Sequence, residues 1–236
     1  MRCPVRPRRP RGRRNRSSKA VAQTRTVVHL VRHGEVDNPA GLLYGRLPDY
    51  HLSELGREMA QRVAEDLRGR DVVHLRCSPL ERAQETMEPI ADALGKPVIT
   101  DGRVIEAANY LEGLKVSFPG LLRRPKMWWH FRNIFGPSWG EPYRDIVVRM
   151  RLAMRDALAA AAGHEAVIVS HQLPIWMARC DAEGRRLFHD PRKRECTLAS
   201  VTSFTYVDGR VTSVGYREPA AELLKPHQGR KFVAGA

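Results

Sequence analysis

The stretch "VVHLVRHGEVDNP", Val27 to Pro39, opens as a short β-branched apolar run and then breaks into Arg32, His33, Gly34 and Glu35 with no polar lead-in. A run of this kind reads as a strand buried on both faces, which is how strands of parallel sheets read. Its polar ending would then lie at the carboxyl edge of the sheet, where open α/β sheets bind ligands.

The rest of the chain supports that reading. From about Thr26, strand-like and helix-like segments alternate. Between Ser53 and Arg68, Leu55, Met59, Val63 and Leu67 recur every four residues on one helical face, and Gly69 marks the stop. "DVVHLRCS" is a second strand that runs into "SPLERAQETMEPIADALG". There Ser78 is the expected N-cap, Pro79 suits the first helical position, Glu81 completes a capping box and Gly95 ends the helix. Another helix is expected over Tyr143 to Ala162, with Ile146, Met150, Ala153 and Ala157 inward and Gly163 as its stop. "EAVIVS" follows as a third buried strand, and Pro174 is expected to open a helix over "PIWMARCDA". "SVTSFTYVDGRVTSVGY" is two alternating strands around Asp208-Gly209, a hairpin signal. The expected fold is therefore α/β: a three-layer sandwich with a mostly parallel central sheet, helices on both faces and a C-terminal hairpin at the sheet edge.

Composition narrows the function. The chain has 236 residues, 42% of them hydrophobic, enough for one sizeable core. Its formal charge of +14 is concentrated at one end: residues 1–25 carry ten Arg or Lys and no acid, whereas the remaining 211 carry 30 basic and 26 acidic side chains. That Arg/Pro-rich segment cannot bury enough apolar surface to offset the entropy of ordering, and it reads as a disordered tail preceding a domain over 26–236. A solvated extension is one account of it; electrostatic contact with nucleic acid or anionic lipid is the other. No apolar region of signal-peptide length follows the Arg pairs, because Lys19, Gln23 and Arg25 interrupt it, and no run approaches the roughly 20 apolar residues of a membrane span. Cys3, Cys77, Cys180 and Cys196 stand far apart without C-x-x-C spacing, which argues against a zinc site and a disulfide framework and points to a reducing cytoplasm.

Residues 107–142 fit the alternating pattern poorly. The segment holds "LLRRPKMWWHFRNIFGPSWGEP", dense in Arg, Trp and Phe and broken by Pro and Gly, and it reads as a lid or specificity insertion.

The ends of the three inner strands carry the chemistry. After the first come Arg32, His33, Gly34 and Glu35; after the second, Cys77 and Ser78 with Arg82 one turn into the helix; after the third, Ser170, His171 and Gln172. Two arginines and two histidines at one sheet edge suit a tetrahedral anion, since guanidinium forks bind phosphate oxygens in pairs and helix N-termini add N–H donors. A neutral imidazole is a credible phosphoryl acceptor, and phosphoryl transfer asks little beyond in-line positioning and charge stabilisation, which Arg32, Arg82 and a protonated His171 could supply without a metal. A departing alkoxide needs a proton, and Glu106, after another short apolar stretch, is the candidate acid. Each residue alone has an ordinary reading: His33 as a loop histidine, His171 as a core residue, Arg82 as a solvated helix face. Their joint placement at strand ends favours a site. His29 and His33 are four apart, but no cysteine or nearby carboxylate completes a metal-ligand set, so no metal is expected.

"LVRHGE" after a strand, "SPLERAQET", and "IVSH" after a late strand resemble the three signature blocks of the histidine phosphatase superfamily, the phosphoglycerate mutase-like fold. They fall in the family's order over about Val27 to His171, and the C-terminal hairpin is similar to the family's final strands. The resemblance implies that His33 is the phosphorylated nucleophile, that Arg32, Arg82 and His171 form the phosphate pocket, and that Glu106 is the proton donor. Two positions depart from the family pattern. Gln172 stands where many relatives have Gly, adding an amide near the pocket. Many relatives place a phosphate-contacting Asn six residues after the nucleophile, where this chain has Pro39; Asn38, one earlier, is carried as the candidate.

Two activities are compatible with these residues. The first is a metal-independent phosphomonoesterase of histidine-acid-phosphatase type, acting on a small phosphorylated metabolite with no cofactor. The alternative is a phosphoglycerate mutase, which would require 2,3-bisphosphoglycerate and basic residues over the pocket, a role open to Arg123, Arg124 and Lys126. Trp128, Trp129, Phe131 and Phe135 suggest either a more apolar rim or a helix packed on the core. A third reading, a binding module that uses the basic tail on nucleic acid, leaves the catalytic set unexplained.

Overall fold

A computed structural model of the chain describes residues 24–114 and 140–224. The elements run β1 (Arg25–Arg32), α1 (Glu54–Leu67), β2 (Val72–Cys77), α2 (Glu81–Leu94), β3 (Val98–Thr100), α3 (Tyr143–Ala160), β4 (Glu165–Ser170), α4 (Gln172–Ala182), β5 (Val201–Val207) and β6 (Arg210–Arg217). The six strands form one sheet in the order β3-β2-β4-β1-β5-β6. β3, β2, β4 and β1 are mutually parallel, while β5 and β6 return antiparallel at the edge as the C-terminal hairpin. The turn residues Asp208 and Gly209 have φ of 50° and 76°, the left-handed pair that a two-residue hairpin turn demands.

The inner strands β1 and β4 are largely apolar because each lines two cores. Val28 and Leu30 of β1 and Ala166 and Ile168 of β4 face α3 and α4, with Ile146, Met150 and Trp176 packed on them. Val31, Val167 and Val169 point to the other side, against Met59, Val63 and Leu67 of α1 and Met87 and Ile90 of α2. Burying an aliphatic side chain of this size stabilises by about 1.5–3 kcal/mol, so alternate residues of one strand weld helices to both faces. The architecture is the three-layer α/β sandwich with a mostly parallel sheet that the alternating pattern predicts.

The helix starts shift where polar groups compete for them. Ser53 caps α1 as expected, accepting from the Gly56 N–H. Ser78 does not cap α2. Its N–H donates to Val169 O, extending the β2–β4 ladder, and the helix begins at Glu81 with Leu80 as cap. α4 begins at Gln172 rather than Pro174, with His171 as an extended N-cap whose carbonyl accepts from Ile175 N. Pro174 is tolerated there because the first turn of a helix has no use for its N–H groups. β3 has three residues and half-exposed side chains, too short and too mixed to show a pattern in the sequence. α3 ends at Ala160, two residues short of the expected limit.

Of the basic N-terminal segment only Thr24 and Arg25 lie within the described residues: Arg25 opens β1, and Thr24 exchanges hydrogen bonds with Asp208. Of the expected lid, residues 107–114 and 140–142 are described. Its two ends meet, with Asn109 bridging Gly140 and Glu141 N donating to Ala108 O at 2.9 Å. Arg123, Arg124, Lys126 and the aromatic cluster after them lie outside the described residues. No helix among the described residues is long and apolar enough to cross a membrane. Cys77, Cys180 and Cys196 are buried thiols without disulfide partners among the described residues.

Candidate active site

The strand order makes β2, β4 and β1 neighbours, so their carboxyl ends converge. Arg32 is the last residue of β1, opposite Ser170 at the end of β4. His33 follows and is clamped by its backbone: its N–H donates to Ser170 O and its carbonyl accepts from Ala199 N. The ring is almost wholly buried, and its Nδ1 lies 2.8 Å from the carbonyl oxygen of Gly34. A carbonyl only accepts, so Nδ1 carries the proton and Nε2 keeps its lone pair. Burial, and then the Arg82 and Arg32 guanidiniums, hold the His33 pKa well below the ordinary histidine value. The imidazole is neutral and its tautomer is set.

Gly34 meets a steric demand of a different kind. A Cβ on Gly34 would collide with the carbonyl of Gly56 in α1, and one on Gly56 would collide with the carbonyl of Glu35. The close backbone approach is thus between the strand-end loop and the start of α1. Glu35 locks the same crossing: its carboxylate accepts from the Ser53 hydroxyl at 2.7 Å and its carbonyl from Ser53 N at 3.0 Å. The Gly34 N–H donates to Thr86 Oγ1, tying the loop to α2.

The two arginines line the same place. Arg32 is buried and donates through Nη1 to Cys196 O at 2.8 Å. Arg82, fully buried in the first turn of α2, donates through Nη2 to Gly45 O, and its guanidinium stacks 4.7 Å from the centre of the Tyr44 ring. Arg82 Nε and Nη1 have no hydrogen-bond partner among the described residues. A buried cation with unsatisfied donors is costly unless an anion meets it.

His171 stands beside the first histidine, the ring centres 5.2 Å apart. Its Nε2 lies 2.7 Å from Ser78 Oγ, which also accepts from Leu80 N. With the Ser78 hydroxyl donating to Nε2, the proton of a neutral His171 sits on Nδ1, a buried atom with no partner among the described residues. Burial, followed by His33, Arg82, Arg149 and Arg32, pushes the His171 pKa well below the usual value. The expectation of a protonated His171 is therefore corrected: next to two guanidiniums it is neutral and offers one N–H. Two negative charges on a bound phosphate would oppose that shift.

Glu106 follows the 3₁₀ turn Gly102–Val104 beyond β3. Its backbone carbonyl accepts from Arg46 Nε at 2.6 Å, and its Oε1 accepts from Ala107 N at 2.7 Å. Burial raises its carboxyl pKa, although the Ala107 N–H and the Arg82, Arg32 and Arg194 guanidiniums pull it back. Arg46 also pairs with Glu141 at 2.8 Å, and Glu141 with Arg149, whose Nη1 donates to the carbonyls of Arg103 and Ile105. The whole turn that presents Glu106 is thus laced to α3.

The remaining candidates are differently employed. Asn38 spends its amide within its own loop, Nδ2 donating to Leu42 O and Oδ1 accepting from Leu42 N, so it braces residues 38–42 and no contact takes it to the histidines. Gln172 turns its amide sideways, Oε1 accepting from Arg194 Nη1 at 3.3 Å and Nε2 donating to Cys196 O at 3.4 Å. Both nitrogens of His29 are engaged, with Ser203 Oγ at 2.7 Å and Glu165 Oε2 at 3.0 Å, which makes it a satisfied core residue. Among the described residues no three or more His, Cys, Asp or Glu are grouped to hold a metal.

The parts played by three residues near the pocket are not readable in the sequence. Ser78 reads as a helix cap, and Tyr44 lies in a loop without periodicity. Arg194 looks no different from Arg192 and Lys193, its neighbours in a basic run.

A model of the histidine phosphatase superfamily (branch 1) matches residues 28–219. An uncharacterised protein of Mycobacterium tuberculosis is 54% identical over 197 residues, 83% of this chain and 98% of its own. A probable phosphoglycerate mutase, GpmB of Yersinia enterocolitica, is 32% identical over 187 residues, covering 74% of this chain and 83% of that protein. The solved structure of YhfR from Bacillus stearothermophilus matches with a TM-score of 0.68 at 25% identity, over 79% of this chain and 94% of that one.

Proposed function

We propose that this chain, which belongs to the histidine phosphatase superfamily, hydrolyses phosphate monoesters of small metabolites through a phosphohistidine on His33. The observation that carries the reading is the bond from His33 Nδ1 to Gly34 O, which leaves Nε2 as a neutral nucleophile beside unsatisfied guanidinium donors. Nε2 attacks phosphorus while Arg32, Arg82 and the His171 Nδ1–H neutralise charge on the equatorial oxygens. Glu106, its pKa raised by burial, gives its proton to the leaving alcohol oxygen as the P–O bond breaks. The Glu106 carboxylate then takes a proton from a water whose oxygen attacks the phosphorus, and the P–N bond breaks with its electron pair returning to His33 Nε2, which releases inorganic phosphate and the neutral histidine. No step calls for a metal, and Asn38 and Gln172 take no direct part in it.

A second reading is a mutase, favoured by the 32% identity to GpmB. It would pass the phosphoryl group to another hydroxyl of the substrate and would be primed by 2,3-bisphosphoglycerate. Hydrolysis needs only the groups described and a water. The test is to incubate the protein with a panel of phosphorylated metabolites, including 3-phosphoglycerate with and without 2,3-bisphosphoglycerate, scoring released phosphate separately from isomerised product. Phosphate release with an acid-labile phosphoenzyme that His33→Ala abolishes supports hydrolysis; isomerisation dependent on the bisphosphate overturns it in favour of the mutase.

A further inference from the structure

The chain that carries Glu106 belongs to no helix or strand beyond the short 3₁₀ turn Gly102–Val104. Among the described residues, its four consecutive carbonyls from Arg103 to Glu106 accept from side chains rather than from backbone N–H groups. Arg149 Nη1 donates to Arg103 O at 2.6 Å and to Ile105 O at 2.7 Å. Ser170 Oγ, at the end of β4, donates to Val104 O at 2.7 Å, and Arg46 Nε donates to Glu106 O at 2.6 Å.

The two arginines act as one unit through Glu141. Arg149 forks onto that carboxylate, Nε to Oε1 at 2.8 Å and Nη2 to Oε2 at 3.1 Å, and Arg46 Nη2 reaches Oε2 at 2.8 Å. The side chains of Arg149 and Glu141 are each only 15% exposed. A carboxylate shared by two guanidiniums fixes their direction and offsets the cost of burying them. The N–H bonds of Arg149 Nη1, which Glu141 leaves over, go to the turn.

The aim of Glu106 follows the turn. Its Oε1 accepts from the N–H of Ala107, the next residue, at 2.7 Å, so the carboxyl is tied to the backbone that bears it. Moving the turn therefore moves the acid. Proton transfer needs donor and acceptor within about 2.6–3.2 Å of each other, and a displacement of about 1 Å can cost on the order of 100-fold in rate.

We propose that Arg149 and Glu141 are positioning residues for protonation of the leaving group: through Arg46 and the carbonyls of residues 103–106 they hold the Glu106 carboxyl where the departing oxygen can take its proton. The inference rests on Glu106 being the acid. Neither residue hydrogen-bonds to His33 or His171, and both act through the turn. Their contribution should therefore appear only where the reaction calls on the acid.

The test uses the full-length protein and reads kcat/KM on glycerol 3-phosphate, whose alkoxide leaves with a proton, against p-nitrophenyl phosphate, whose phenolate leaves without one. Arg149→Met is expected to lose at least about tenfold on the first ester and less than about threefold on the second, the selective loss that a misplaced general acid gives. Glu141→Gln should show the same selectivity with a smaller loss. Arg149→Lys should restore part of the rate, because an ammonium can cap a carbonyl but cannot also fork onto Glu141. In the double variant Glu106→Gln/Arg149→Met the loss on glycerol 3-phosphate should equal that of Glu106→Gln alone, since the arginine acts through the acid. Amide hydrogen exchange in a peptide spanning residues 101–108 should accelerate in Arg149→Met. Arg151→Met, which breaks an exposed ion pair on the same helix, should change neither the exchange nor the ratio of the two rates, and thermal midpoints check that each variant is folded. Equal losses on the two esters, additive losses in the double variant, or unchanged exchange overturns the inference. Should Arg149→Met fail to fold, Glu141→Gln and Arg149→Lys carry the same comparison. A selective loss in Glu106→Gln with none in Arg149→Met overturns this inference alone, whereas equal losses on both esters in Glu106→Gln remove the acid reading and this inference together.

Discussion

The hydroxyl of Ser78, at the end of β2, lies 2.7 Å from Nε2 of His171, at the end of β4. This bond joins two adjacent strand ends and decides which nitrogen of the second histidine faces substrate. Ser78→Ala should leave His171 without its tautomeric partner and Leu80 N without an acceptor. Loss of one buried hydrogen bond of this kind is worth about 1–2 kcal/mol, so kcat/KM should fall roughly tenfold. Steady-state rates on p-nitrophenyl phosphate check this; a rate within twofold of the unaltered protein would show that His171 needs no such partner.

The pH profile follows from two shifts of opposite sense. His33 must be neutral to attack, and its pKa is held well below 6.5, so the acid limb of the rate should lie below that value. Glu106 must be protonated to act as the acid, and burial raises its pKa above 4.5, so the rate on poor leaving groups should fall as pH rises through that raised value. Glu106→Gln should erase this alkaline limb when the two proteins are compared on the same substrate, which cancels the ionisation of the ester. The loss should be far larger for glycerol phosphate than for p-nitrophenyl phosphate, whose phenolate departs without a proton.

Stability should depend on pH in the same range. His29, His33, His74, His171 and His189 all have lowered pKa values, chiefly through burial. A histidine depressed in the folded state binds its proton more readily when unfolded, so its contribution is intact above about 6.5 and is lost as pH falls towards the folded value. His51 and Glu106 are raised and act in the opposite direction, His51 at the surface and Glu106 alone in the pocket. The balance favours the five, so the thermal midpoint should drop between pH 7 and pH 5, and saturating inorganic phosphate should narrow the drop by favouring the protonated site histidines. A midpoint that rises over this interval would contradict the balance.

Gly34 and Gly56 meet where the strand-end loop crosses α1. Either replaced by Ala puts a methyl group into a backbone carbonyl, and overpacking of this kind costs about 1–3 kcal/mol, or more where backbone must move. Urea denaturation should show that loss. Gly34→Ala should also reduce turnover by more than tenfold, because the carbonyl that orients His33 belongs to the same residue.

Chelation is a further check. Arg32, Arg82 and His171 supply the charge stabilisation, so dialysis against EDTA should leave the hydrolysis rate within experimental error. A rate restored only by added divalent cation would require a ligand set that the described residues do not provide.

Periodicity and order along the chain are enough to place the strands and the helices that cover them. Apolar runs at Val27–Val31, Val72–Leu75 and Ala166–Val169 are strands buried on two faces, and amphipathic spacing such as Met59, Val63 and Leu67 makes the helices that cover them. Once those strands are parallel, the residues after them must share one sheet edge, which is why Arg32, His33, Arg82 and His171 were legible as a group. The partnerships between segments far apart in the chain come into being only when it folds. Ser78 serves His171 rather than its own helix, Glu35 pins Ser53, and Gln172 faces Arg194. The physical reason is that a hydrogen bond depends on where an atom ends up within about 3 Å, and no period in the sequence carries that distance. The charge state of His171 belongs to the same class, since burial and the neighbouring guanidiniums exist only once the chain has closed around it.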